Sequence, residues 1–212
     1  MQSFTEYAAK TESAMRLLFD GVASYARLIP DFKPSIFVSS ETDSPAFETA
    51  YSDWRLKNAS ALAATTESAR KYLAESFALD TLCGAIFQVA SKAIEVYSNS
   101  NHVPKEWTNS VGQNTKKYCR GRHIRSVPLG LVIYAARNQH AHYNDGSLHP
   151  LSSVVFERLA TEHDYPKSEL RRDPAFDLSN PKIDSCAHTV MTLVGWTRYE
   201  DYALDLTTLV NH

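Results

Sequence analysis

The chain has 212 residues, 43% of them hydrophobic and 22% charged, with a net charge of −2. That balance describes a globular chain able to bury a core, and it disfavours disorder or a fibrous repeat. Three widely spaced cysteines, Cys83, Cys119 and Cys186, argue against a disulfide framework or a zinc knuckle and point to a reducing, cytoplasmic setting.

No basic head followed by an apolar block opens the sequence, so no secretory signal is expected. No apolar run approaches the ~18 residues of a membrane span. Phe4, Tyr7, Met15, Leu18, Phe19 and Val22 recur at three- and four-residue spacings and predict a helix over about 4–28. Residues 30–45 form a proline-punctuated connector that closes with cap-forming Ser and Asp. From Ala46 to Ser98 there is no proline and a single glycine, Gly84, which predicts one bent helix or two. Its core stripe is expected to comprise Leu79, Leu82, Ala85, Ile86, Val89, Ala93 and Val96.

After a turn at Asn99–Trp107 comes a basic stretch, "NTKKYCRGRHIR", and then a helix within "SVPLGLVIYAARNQHAH". Ser126 is expected to cap that helix, Pro128 to lie in its first turn, and "NDG" at 144–146 to end it. Leu129, Val132, Ile133 and Ala136 give its apolar face. A further helix starts near Pro150, with Val154, Val155 and Leu159 facing inward. Residues 161–183 read as a polar loop segment. "IDSCAHTVMTLVGW" and "YEDYALDLTTLV" read as two short helices hinged near Gly195. The whole, residues 1–212, is expected to be one all-α domain packed as a bundle.

The charge is unevenly placed. From Trp107 to Asn144 there is no Asp or Glu, while Lys116, Lys117, Arg120, Arg122, Arg125 and Arg137 give +6, leaving −8 for the rest of a chain of net −2. A basic segment on an acidic body is either a site for an anion such as a phosphate backbone or a local balance to acidic neighbours. On the first reading Lys116, Lys117, Arg120, Arg122 and Arg125 grip RNA phosphates, and Tyr118 among them offers a stacking face.

Within that segment "AARNQHAHYND" (Ala135 to Asp145) places polar, chemistry-bearing residues at the end of an apolar helix. Arg137 and His142 suit RNA cleavage. A histidine can take a proton from the ribose 2′-hydroxyl or give one to the leaving oxygen near pH 7. An arginine supplies a permanent cation for the extra charge of the phosphorane. Asn138 is placed to orient Arg137 or to bond the phosphate, and His140 is a second acid–base candidate. Five positions on a straight helix turn through about 140°. The two groups therefore converge only if the helix ends between them or a second copy of the chain supplies the partner. A structural reading is also available, because cations favour a helix C-terminus. Zinc binding by His140, His142 and His149 is disfavoured, since the His-x-His pair diverges on a helix and no carboxylate or cysteine completes the set.

"ARNQHAH" in an all-α setting resembles the signature of the HEPN superfamily: an arginine, four to six residues, then a histidine, commonly with a polar residue after the arginine. Arg137, Asn138 and His142 match with a spacing of four. The resemblance rests on this short stretch and, loosely, on the helical layout. It implies a helical bundle of HEPN type and a metal-independent endoribonuclease without cofactor, active as a homodimer whose two motifs share one cleft. Its products would be a 2′,3′-cyclic phosphate and a 5′-hydroxyl. It further implies a toxin or antiviral-defence nuclease, in some relatives restrained by an antitoxin or other regulatory protein. One subgroup carries a modified tyrosine two residues after the histidine; here Tyr143 follows His142 directly, so that regulation is not carried over. The superfamily also contains non-catalytic members, so a helical module binding RNA, a nucleotide or a partner protein is the alternative.

Overall fold

A computed structural model describes residues 3–28, 36–39, 44–142, 145, 148–163, 171–179 and 185–211. Among them are seven α-helices: α1 (Phe4–Leu28), α2 (Pro45–Lys57), α3 (Ala59–Tyr97), α4 (Leu129–Ala141), α5 (Pro150–Thr161), α6 (Ala187–Leu193) and α7 (Tyr199–Val210). A minimal antiparallel hairpin, β1 (His123–Ile124) and β2 (Val127–Pro128), precedes α4. The chain is thus mostly helical, as expected. Its contacts group into two units, Ser24–Phe77 and Met1–Ala23 with Ala78–His212.

In the Ser24–Phe77 unit, Ser44 caps α2, its hydroxyl accepting the Phe47 N–H at 3.1 Å, and Pro45 fills the first turn, where a missing N–H leaves no bond unmade. Asn58 stops α2 by donating its side-chain amide to the Trp54 carbonyl at 2.8 Å. The long proline-free stretch is therefore two helices, α2 and α3. No α2 residue is buried. Phe37, Phe47, Tyr51 and Trp54 pack on one another with ring centroids 5.4–6.1 Å apart. Most of the expected connector at 30–45 lies outside the described residues.

In the larger unit, α3 buries Leu79, Cys83, Ile86, Phe87, Ala90, Ala93 and Ile94. At 100° per residue these lie within one face. The expected Leu82, Ala85, Val89 and Val96 fall on its flank, and Val96 is 41% exposed. The stripe was displaced because the sequence offers apolar residues on both faces of this helix, and Cys83 and Phe87 take the centre. By length and composition alone α3 passes as a membrane span, against the expectation that no apolar run is long enough; half of its apolar window is buried inside the protein. α1 packs here through Met15 and Phe19, and its Tyr7 hydroxyl donates to the Val89 carbonyl at 3.0 Å.

Helix α4 is the centre of this unit, in contact with α5, α6 and the hairpin. Every residue from Leu129 to Gln139 is buried except Tyr134 and Arg137. Those two are three positions apart and share one stripe. Ser126 does not cap α4. Arg125 and Ser126, at φ 47° and 66°, form the two-residue turn between β1 and β2, where both central residues are left-handed as a type I′ turn requires. Pro128 then occupies the cap position and α4 starts at Leu129. Gly130 allows the close approach of the preceding segment: a Cβ there would lie 2.3 Å from the Tyr118 carbonyl oxygen. At the other end α4 runs through Ala141; Asn144 and Gly146 lie outside the described residues. α5 begins at Pro150 and buries Val155 and Leu159. α6 and α7 meet near Gly195, whose φ is 73°. Parts of 161–183, residues 164–170 and 180–183, lie outside the described residues.

Candidate functional site

The open stripe of α4 faces a cleft. Arg137 sits in it, half-buried, and is held by two neutral amide oxygens. Its Nε donates to Gln88 Oε1 and its Nη1 to Asn138 Oδ1, both at 2.7 Å. Among the described residues it has no carboxylate partner, whereas Arg16, Arg122, Arg125 and Arg172 each pair with at least one. Asn138 is 8% exposed, so its oxygen is a fixed acceptor within the helix.

The cleft, about 540 Å³, is walled by α3 (Gln88, Ser91, Lys92, Glu95), by the 3-10 turn Gln113–Tyr118, and by Tyr134 and Arg137 of α4. Lys117 reaches across its rim, donating to the Glu95 carbonyl at 2.5 Å. Glu95 also pairs with Lys92 at 3.3 Å. Three cations against one carboxylate leave the cleft net positive. Tyr118 packs on Tyr134 at 5.1 Å and hydrogen-bonds Ser91, whose Oγ lies 3.0 Å from its hydroxyl; burial pushes that phenol above its ordinary value. Buried and bonded in this way, Tyr118 forms wall rather than a free stacking face.

His142 is elsewhere. It occupies the C-cap of α4, its N–H on the Asn138 carbonyl, and its Nδ1 lies 2.6 Å from Asp145 Oδ2. Both side chains are more than half exposed. α4 ends at Ala141, immediately before His142, whose φ of −125° is no longer helical; even so, His142 does not line the cleft. The histidine that approaches the cleft wall is His149, whose ring meets Tyr134 edge-on at 6.1 Å.

His140 has a packing role. A Cβ on Gly84 would lie 2.1 Å from its Cδ2, so glycine is what lets the imidazole lie against α3. Its Nδ1 is 3.1 Å from Ser185 Oγ, and the neighbouring Gln139 accepts the Cys186 N–H at 2.8 Å. The motif thus divides: Arg137 and Asn138 serve the cleft, Gln139 and His140 hold the start of α6. Asp80 completes this second cluster by accepting the His188 N–H at 2.9 Å. Burial lowers His140 and His188 below the ordinary histidine value, Asp80's charge opposing, and burial raises Asp80.

The signs give a pH dependence. As pH falls below about 6.5, the unfolded chain protonates these histidines before the folded one does, so stability falls. Asp80 acts oppositely, because its folded carboxyl takes a proton first above about 3.9. The urea midpoint is therefore expected to drop between pH 7 and pH 5.5, and His140→Gln and His188→Gln should each flatten the drop. An unchanged slope in both variants would count against this account.

The predicted basic residues separate. Lys117 lines the cleft. Lys116 is half-buried and outside it. Arg120 reaches Ser98 Oγ at 3.5 Å. Arg122 is bound by Asp205 at 2.8 Å and also donates to the Val194 carbonyl. Arg125 is bound by Asp173 at 2.7 Å and donates to the Leu159 carbonyl at 2.5 Å. The last two are tied into the fold. Gln88, Lys92 and Tyr134 escaped sequence reasoning. Gln88, Ser91, Lys92 and Glu95 do form a polar stripe at helical spacing, but every amphipathic helix carries one.

Burial pushes the thiols of Cys119 up to about 11 and of Cys186 up to about 12; with Cys83 they are buried and unpaired. Among the described residues, no group of three or more His, Cys, Asp or Glu is arranged to hold a metal ion. No family model, curated protein or solved structure matches this chain.

Proposed function

We propose that the chain is a HEPN-like, metal-independent endoribonuclease acting as a homodimer. The observation that carries this reading is Arg137: a guanidinium oriented by two neutral amides, without a carboxylate partner among the described residues, in a cleft with Lys92 and Lys117. A cation left unpaired in a partly enclosed site is suited to an anion, and a phosphodiester passing to a phosphorane is one whose charge grows. Arg137 stabilises that charge, Asn138 positions the guanidinium, the cleft lysines hold the strand, and His142 is the general acid or base. Since His142 lies outside the cleft of its own chain, the imidazole comes from the second copy. A toxin or defence role, and restraint by an antitoxin, follow from the resemblance alone.

His142 paired with Asp145 on the surface also favours the second reading, a helical module that binds RNA without cutting it. The test is incubation of the purified protein with tRNA and mRNA in EDTA. Fragments ending in 2′,3′-cyclic phosphate and 5′-hydroxyl are expected. Salt-dependent binding with intact RNA selects the module instead, and neither binding nor cleavage removes both readings.

A further inference from the structure

We propose that Gln88 is the positioning residue of this cleft: it fixes the guanidinium of Arg137 without neutralising it, so that the cation stays open to an anionic ligand. This rests on reading Arg137 as the anion ligand. An arginine carries five N–H donors. Among the described residues two are engaged, by Gln88 Oε1 and Asn138 Oδ1, each at 2.7 Å, which locks the plane of the fork and leaves three donors for a ligand. Both partners are amides. A glutamate at position 88 has the same reach and the same acceptor geometry, but it adds a full negative charge at hydrogen-bond distance from Nε. Such a pair is charge-assisted and competes directly with a phosphate for the same fork. The choice of Gln over Glu therefore decides whether Arg137 is a ligand group or one more internal ion pair, like Arg125 with Asp173. Position 88 also suits substitution: it is exposed, on the polar face of α3, and makes no part of the core.

The test uses the full chain with a fluorescein-labelled single-stranded oligo(U), and compares Gln88→Glu, Gln88→Leu and Arg137→Ala. Gln88→Glu is expected to weaken binding by about tenfold or more, as much as Arg137→Ala, because a charged hydrogen bond to the ligand is lost in both. The slope of log affinity against log salt should fall by about 0.7 in the same two variants. Gln88→Leu, which keeps the charge but loosens the fork, should lose only several-fold. Melting temperatures of the two Gln88 variants should match wild type. In parallel, the Arg137 Nε–H resonance, identified by its absence in Arg137→Ala, should exchange more slowly in Gln88→Glu and faster in Gln88→Leu. Inorganic phosphate should shift it in wild type and not in Gln88→Glu. Wild-type affinity in Gln88→Glu beside lost affinity in Arg137→Ala overturns the inference. If Arg137→Ala itself binds RNA normally, the functional reading fails, and the resonance still decides: unmoved in both Gln88 variants, it overturns the role of Gln88.

Discussion

Arg137→Ala is expected to slow RNA cleavage by roughly 10²- to 10³-fold, the loss that follows removal of one fixed donor to a developing oxyanion. The fold should survive. The side chain is half-buried and contributes no apolar core, and the cost is confined to the Asn138 oxygen, which loses its donor while buried. That costs about 1–3 kcal/mol. Arg137→Lys keeps the charge but cannot satisfy Gln88 and Asn138 together while presenting a fork, so it should recover little of the rate. His142→Ala should be inactive as well and fully folded, since its contact with Asp145 is an exposed pair of small worth.

The informative experiment mixes these two inactive proteins. Arg137 lines the cleft and His142 of the same chain does not, so an active site that needs both draws them from different chains. Subunit exchange then gives heterodimers with one intact site and one doubly defective site. Activity should return to about a quarter of wild type, from half the dimers each carrying one of two sites in a two-fold assembly. No recovery would remove the arrangement in trans. If His149→Ala abolishes cleavage where His142→Ala does not, the imidazole comes from the same chain, from the ring already against Tyr134.

Arg137 is legible in the sequence because an Arg-Asn pair interrupts an otherwise apolar helix, and a helix buried on nearly all sides leaves such a pair one stripe to occupy. Its partner Gln88 is not legible. It lies 49 residues away in a polar stripe that carries no chemistry of its own until α3 packs beside α4. Helix existence followed from periodicity and proline punctuation, as at Pro45 and Pro150. Faces followed less well: on α3 apolar residues surround the helix, and which of them turn inward depends on neighbours far along the chain. The hairpin before α4 was missed because Arg-Ser is not a turn signature; both residues are left-handed there, a conformation tertiary contacts must hold. Counting charge along 107–144 treated six cations alike. Two of them meet carboxylates 83 and 48 residues downstream, Asp205 and Asp173, which no local window contains.

Arg125→Ala is the substitution expected to harm stability most, by about 3–5 kcal/mol, the cost of stranding one member of a buried ion pair. The side chains of Arg125 and Asp173 are 15% and 6% exposed. Arg125 also donates to the Leu159 carbonyl at the end of α5 and stacks on Phe176 at 5.0 Å. Its removal leaves the Asp173 carboxylate, among the described residues, accepting only the Ala175 N–H at 3.0 Å, and releases the turn that holds Arg125 at φ 47°. Chemical denaturation measures the loss. Arg125→Met with Asp173→Leu should recover much of it, because an apolar pair needs no desolvated charge to be balanced. Arg122→Ala should cost less, since that arginine is 46% exposed and solvent screens its pair with Asp205. RNA binding separates the two views of this segment. If Arg125 is a structural cation, the salt slope of RNA affinity stays at its wild-type value in the folded Arg125→Met/Asp173→Leu protein. A slope lower by about 0.7, with stability unchanged in Arg125→Ala, would instead make Arg125 a phosphate contact.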